Sequence, residues 1–237
     1  QLHKGWLLLG GAGYYFDTDG LSVKGSQRID GAAYNFNNNF TLRTGELYWD
    51  WAYDGGRLRY VDPNTLDLKK GWLLLNGTGY FFDNNGLSVK GSQRIDNAAY
   101  NFNDNFTLRT GELYWDWAYD GGRLRYVDPG TLNLHKGWLD MSSARYYFTT
   151  DGVTAKGWQQ IGTNYYYFDT ANFFGSTGGQ RIDNVAYNFN MDGSLRTGEL
   201  YWDWAYDGGR LRYIVPGTNQ LHKGWLLLGG AGYYFDT

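Results

Sequence analysis

The chain has no cysteine, only three prolines and two methionines, and three histidines in 237 residues. Without cysteine there is no disulfide framework, so stability has to come from packing, as it does where repeated units stack on one another. Long apolar runs are missing too. The longest, Trp6 to Leu9, is far too short to span a bilayer, and no signal peptide is present. Membrane insertion is therefore not expected, and any secretion signal is expected outside these residues. Nor is there an excess of positive charge: 21 basic against 24 acidic residues give a net charge of -3. A nucleic-acid or anionic-membrane partner would need a basic stripe, and none is present.

What the chain has in abundance is glycine, at 35 residues, and aromatics, at 19%. Too little helix-forming sequence and too many turn residues remain for an α protein, so an all-β fold is expected. The stretch GELYWDWAYDGGRLRY occurs letter for letter at 45–60, 111–126 and 198–213. Such self-similarity marks a repeat protein. Alternation puts Trp49, Trp51 and Tyr53 on one face of a strand and Tyr48, Asp50, Ala52 and Asp54 on the other. Asp54-Gly55-Gly56 reads as a tight turn, and Arg57 to Val61 as the return strand.

Glycines at 5, 25, 45 and 71 are spaced 20, 20 and 26 residues apart, and the same steps recur from 71 to 137. This divides the chain into a first super-repeat (1–70), a second (71–136), a third with one inserted unit at 157–177 (137–223), and a shortened unit (224–237). The expectation is a fragment of a longer array. Each 20-residue unit has room for one hairpin and a connection: Trp6 to Leu9, a turn at Gly10 to Gly13, then Tyr14 to Phe16. All three prolines, Pro63, Pro129 and Pro216, lie in the exit loop of the 26-residue unit, which places that loop outside any sheet. Isolated hairpins are marginal in water, so the units are expected to stack as one continuous solenoid of β-hairpins.

The segment GWLLLGGAGYYFDTDGLSVKG at 5–25, with GYFFDNNGLSVKG at 79–91 and NYYYFDTANFFGSTGG at 164–179, resembles the cell-wall-binding repeat of choline-binding proteins, clostridial toxin tails and glucan-binding domains. Grouping of three repeats into about 65 residues is similar to the glucan-binding subgroup found at the C-termini of glucansucrases. The resemblance implies sugar pockets built from a Tyr of the Tyr-Phe strand with a following Gln and Lys. Here the Tyr position holds Tyr15, Phe81, Tyr147 and Tyr234 in one unit type but Asn35, Asn101 and Asn188 in another. Lys24, Lys90 and Lys156 match, whereas Ser22, Ser88 and Thr154 replace the Gln. Tyr60, Tyr126 and Tyr213 of the long hairpin do fall at the family's Tyr position.

The ligand site is therefore expected on the long hairpins, at Trp49, Asp50, Trp51, Tyr53, Arg57 and Tyr60. Its copies are Trp115, Asp116, Trp117, Tyr119, Arg123 and Tyr126, and Trp202, Asp203, Trp204, Tyr206, Arg210 and Tyr213. A sugar ring offers an apolar face to an aromatic ring and hydroxyls to charged partners, and these residues supply both. Some of these aromatics could instead serve only to join units, and for Tyr15 and Phe16 the core role is favoured; Asp17, Asp83 and Asp169 read as turn-capping residues.

Choline, which needs a cage of about three aromatics, is the alternative ligand, with Trp138 and Trp158 beside Tyr147 and Tyr167 as the one place to build it. A toxin-type glycan receptor-binding array is a further possibility, and a structural spacer another; the spacer would expose few aromatics. Glu46, Asp50 and Asp54 could be imagined as a glycosidase pair, but three equivalent copies argue for adhesion. His3, His135 and His222 recur before Gly-Trp, yet Lys69 stands in the second copy, so neither a metal nor any cofactor is expected. The expectation is a non-enzymatic, monomeric, secreted or cell-surface polysaccharide-binding array of a Gram-positive-type bacterium, appended to a glucansucrase or a cell-wall enzyme.

Overall fold

The computed structural model describes residues 1–52, 55–118, 122–142, 144–205 and 209–236, and no helix occurs among them. Eleven two-stranded antiparallel sheets follow one another along the described residues. The short hairpins pair five residues with five, as in Gly5–Leu9 with Ala12–Phe16, Gly25–Ile29 with Ala32–Phe36 and Gly71–Leu75 with Thr78–Phe82. The long hairpins pair four with four, as in Leu47–Asp50 with Arg57–Tyr60. The all-β reading and the stacked-hairpin reading hold.

Local chemistry explains the hairpins. Gly10 and Gly11 alone form the first turn, both with positive φ (57° and 79°), and Ala12 already belongs to the return strand. Two consecutive positive φ angles match the right-handed twist of the flanking strands. Asp96-Asn97 and Asp183-Asn184 do the same without glycine, since short polar side chains tolerate the left-handed region. The four-residue turn expected at Gly10 to Gly13 is thus a two-residue turn. The last residue of the second strand anchors six of the short hairpins: Phe36, Phe82, Phe102, Phe148, Phe168 and Phe189 are all buried, whereas Phe16 and Phe235 are half-buried. Asp17 and Asp83 cap the loops that follow, each accepting two backbone N–H bonds of 2.9 to 3.0 Å.

The chain divides into two compact units. The first comprises Gln1–Glu112, Asp116–Gly122 and Val127–Asn133; the second comprises Leu113–Trp115, Arg123–Tyr126 and Leu134–Thr237. Neither has one large core. In the first, Ile29, Phe36, Leu42, Tyr48 and Val61 form a cluster, with Tyr15 and Tyr34 packed on it. In the second, Ile182, Phe189, Leu195, Tyr201 and Ile214 form its counterpart, and separate clusters surround Tyr146 and Tyr166.

Successive hairpins are joined by one recurring hydrogen bond. The carbonyl of the second residue in a hairpin's return strand accepts an N–H from the loop after the next hairpin. In the first unit these are Leu42 to Gly13 (2.8 Å), Ser88 to Leu58 (2.9 Å) and Leu108 to Gly79 (2.9 Å). In the second they are Thr154 to Leu124 (2.9 Å), Gly175 to Arg145 (2.8 Å) and Leu195 to Tyr165 (2.8 Å). Where the next hairpin is a long one, a side chain takes over: Tyr48 Oη donates to the Ala33 carbonyl (3.0 Å), and Tyr201 Oη to that of Ala186 (2.9 Å). Both alanines are fully buried.

The long hairpins carry a second fixture. Asp50 is fully buried and ion-paired with Arg59 through Nε, and its Oδ1 accepts the Ala52 N–H at 2.8 Å. Arg59 continues through Nη1 to the Asn85 carbonyl of the following loop. Asp203 pairs in the same way with Arg212 and accepts the Ala205 N–H.

Two outcomes follow for stability. Burial raises the hydroxyls of Tyr48 and Tyr201 above the ordinary tyrosine range. A proton held more tightly in the folded state stabilises fully below the unfolded value, about 10, and the benefit declines as pH rises above it. Melting temperature is therefore expected to fall steeply above about pH 10, and replacing both tyrosines by Phe should flatten that fall while costing about 1 kcal/mol per hydrogen bond at neutral pH. An unchanged alkaline profile in the double variant would contradict this. Asp50→Ala strands the buried Arg59 and is expected to cost about 3–5 kcal/mol, read by urea unfolding; Trp49→Ala, at an exposed site, should cost far less.

Candidate functional site

The long hairpin alternates as its sequence requires. In Leu47–Asp50, Tyr48 and Asp50 are buried and Trp49 is 60% exposed. The strand ends at Asp50, so Trp51, 55% exposed, projects from the turn beyond it. Trp115, Trp117, Trp202 and Trp204 are likewise more than half exposed. None of these six is a core residue, and the return strand stops at Tyr60, with Val61 paired singly to Leu68. Tyr53, Tyr119 and Tyr206, and with them Asp54, lie outside the described residues.

Trp49 rests edge-on against Phe106, with ring centroids 5.8 Å apart and planes at 74°; Trp115 meets Phe173 at 5.8 Å and 72°. Gly56 backs the first platform. Its φ is +58°, and a Cβ there would stand 3.3 Å from Trp49 Cζ3.

The polar residues expected around these rings are placed differently. Asp50, Asp116 and Asp203 are buried and present no free face to a ligand. Extended-strand alternation already turns the acid away from the tryptophan, and the arginine two residues into the return strand holds it there. Tyr60 and Tyr213 are buried as well, and Tyr126 is half-buried. Arg57 is committed to the following loop, donating through Nε to the Ser88 carbonyl at 2.5 Å and facing Asp83 at 3.2 Å. Arg123 donates to the Thr154 carbonyl. Arg210, more exposed, pairs with Asp236 at 2.5 Å. Among the described residues, what remains on the open face is the tryptophan pair.

A glycosidase pair is not assembled: Asp50 is buried, and Glu46 is ion-paired with Arg43 at 2.7 Å. The histidines bond locally, with His3 and His135 each 3.0 Å from the carbonyl of the Trp three residues on. No cluster of three or more metal-ligating side chains occurs among the described residues.

The Gly-Trp tryptophans have another role. Trp6 packs on its cross-strand partner Tyr15 (5.2 Å) and on Tyr34 (5.0 Å) and Phe36 (6.0 Å) of the next hairpin. Trp72 and Trp158 make the equivalent contacts. Trp138 does so with Tyr147, Tyr166 and Phe168. Trp138 and Trp158, expected to close one cage, make no ring contact with each other, and the guanidinium of Arg145 lies 4.3 Å from the Trp138 ring centre.

One feature escaped the sequence reasoning. A groove of about 360 Å³ is lined by Trp6, Leu8, Tyr34 and Leu66, and another of about 210 Å³ by Trp72, Leu74, Tyr100 and Leu132. Leu66 and Leu132, both with positive φ, lie over Gly13 and Gly79. Arg145 occupies the corresponding position over Trp138, and this substitution of Arg for Gly was the available signal.

Residues 156–171 match the model of the putative cell wall binding repeat. The chain is 30% identical over 159 residues, 66% of its length, to Glucosyltransferase-S of Streptococcus downei, and 27% identical over 211 residues, 88% of its length, to Glucosyltransferase-S of Streptococcus mutans. It spans only 11% and 12% of those two relatives. In fold it is similar to CbpJ of Streptococcus pneumoniae, with a TM-score of 0.52 at 22% identity, covering 99% of this chain and 92% of that one. The chain thus carries the putative cell wall binding repeat and is related in sequence to the glucosyltransferase-S proteins.

Proposed function

We propose that the chain is a non-catalytic, multivalent carbohydrate-binding array for α-glucan or a related bacterial surface polysaccharide, secreted or displayed at the cell surface. The observation that carries this is the repeated pair of exposed tryptophans: six large aromatic rings, each more than half exposed, at sequence-identical positions of the long hairpins. Exposing so much aromatic surface opposes the hydrophobic effect and is worth retaining where a ligand covers it. A pyranose ring offers the apolar face that does so. A pure spacer would have turned these rings inward. The relationship to glucosyltransferase-S proteins supports a glucan, and an appendage to an enzyme of that kind is the setting that fits.

The polar partners differ from those the sequence suggested. With the three acids buried in the hairpins and Arg57, Arg123 and Arg210 engaged with residues that follow them, recognition rests on stacking. Single sites of this kind are weak. Linked on one polymer they raise apparent affinity by roughly 10²-fold or more, provided they can engage together. A choline cage at Trp138 is opposed by Arg145, which already places a cation on that ring.

Native gels containing dextran test the reading. Replacing Trp49, Trp115 and Trp202 by Ala should weaken retardation stepwise, and the triple variant should migrate as in a dextran-free gel with an unchanged far-UV spectrum. Full retardation of the triple variant, or elution from a quaternary-amine resin by choline that depends on Trp158, would refute it.

A further inference from the structure

The loops after the short hairpins share one backbone position with positive φ, two residues before the single β-bridge that closes the loop. Glycine occupies it at Gly20, Gly86, Gly152 and Gly193, with φ between 68° and 82°. Glycine adopts that conformation without strain, whereas bulky residues rarely do. Three loops nevertheless put phenylalanine there: Phe40, Phe106 and Phe173, at 68°, 70° and 65°. Phe106 and Phe173 are both 2% exposed.

These two are the residues beneath the tryptophans of the long hairpins, with nearly identical geometry, 5.8 Å and 74° against 5.8 Å and 72°. In both cases the phenylalanine belongs to the loop of the second hairpin downstream. The two loops have unrelated sequences, NDNFTL at 103–108 and DTANFFG at 169–175, and the second is one residue longer. Its Phe173 N–H bonds to the Asp169 carbonyl, four residues back, where Phe106 bonds to Asn103, three back. The extra unit at 157–177 supplies Phe173, and the unit after it, of the same type as the one carrying Phe106, has Gly193 at this position. A phenylalanine is therefore found at this distance from a long hairpin, whatever kind of unit lies there. Phe40 makes no ring contact with a tryptophan among the described residues and is 37% exposed.

We propose that Phe106 and Phe173 are positioning residues for the saccharide platforms Trp49 and Trp115, so that each platform is completed by the second hairpin downstream. This rests on the reading of those tryptophans as saccharide platforms. The edge of the phenylalanine fixes the tilt of an indole that has little else to hold it, and a preorganised ring binds more tightly than one that must be ordered by the ligand. A site of this array is thus built across the boundary between successive super-repeats.

The test uses the whole chain in dextran-containing gels, run well below each variant's melting temperature. Phe106→Gly with Phe173→Gly places at this positive-φ position the residue that holds it in four other loops and removes the ring; Phe106→Leu with Phe173→Leu keeps apolar volume without a ring edge. Both pairs are expected to weaken retention roughly threefold to tenfold per platform, the range expected for an edge-to-face aromatic contact, and Phe40→Leu should leave it unchanged. Full retention in the Gly and Leu pairs, whatever their melting temperatures, while Trp49→Ala with Trp115→Ala loses it, would overturn the proposal and leave the saccharide reading standing. Full retention in the tryptophan pair would overturn both.

Discussion

A two-stranded sheet has two outer edges whose backbone groups need partners, and a hairpin alone in water gains little by forming. This chain meets that constraint with a recurring bond to the second carbonyl of a return strand, given by a backbone N–H of the loop after the next hairpin or, before a long hairpin, by a tyrosine hydroxyl. The final phenylalanine of six short hairpins, Phe36, Phe82, Phe102, Phe148, Phe168 and Phe189, is buried at the same junction, where it also forms a single bridge to that hairpin's own loop. Packing is confined to hairpins one or two apart along the chain, as in the Trp49–Phe106 and Trp115–Phe173 contacts, and small local clusters take the place of a central core. Stability of this kind accumulates unit by unit.

Much of this could be read from the sequence because its signals are local. The 20-residue step, the aromatic strands and the glycine-rich turns each follow from rules that act over a few residues, and the hairpins form where those rules place them. Alternation correctly separated Trp49 from Tyr48 and Asp50. It did not say which side faced inward, because a face of Trp and Trp and a face of Tyr and Asp are equally plausible cores until a partner is known. The partner is Arg59, whose guanidinium makes a buried carboxylate tolerable; without that pairing an acid would be assigned to solvent. Leu66, Phe106 and Phe173 were out of reach for a related reason. Each sits in a backbone conformation that its residue type disfavours, so propensity argued against the placement that long-range packing imposes.

The distribution of tryptophans divides labour within one residue type. Trp6, Trp72, Trp138 and Trp158 bind hairpin to hairpin through a cross-strand aromatic and two rings of the next unit. Those of the long hairpins stay open to solvent. Cross-strand register separates the fates: Trp6 faces Tyr15 and touches three aromatic rings, whereas Trp49 faces Leu58 and has an edge contact with Phe106 beneath it. The second kind recurs at three identical hairpins while the first joins neighbouring repeats.

The hydroxyl of Tyr48 at the carbonyl of Ala33, repeated by Tyr201 at Ala186, also imposes a grammar on the array. A junction made by the backbone accepts any neighbouring unit, since every residue but proline brings the same N–H. One made by a tyrosine hydroxyl needs a unit with a buried alanine followed by a unit with that tyrosine. The additional hairpin at 157–177 lies between junctions of the first kind, Gly175 to Arg145 and Leu195 to Tyr165, and the Ala186–Tyr201 join downstream is intact. The alanine unit and the long hairpin accordingly occur as a couple at each of their three appearances, 25–70, 91–136 and 178–223.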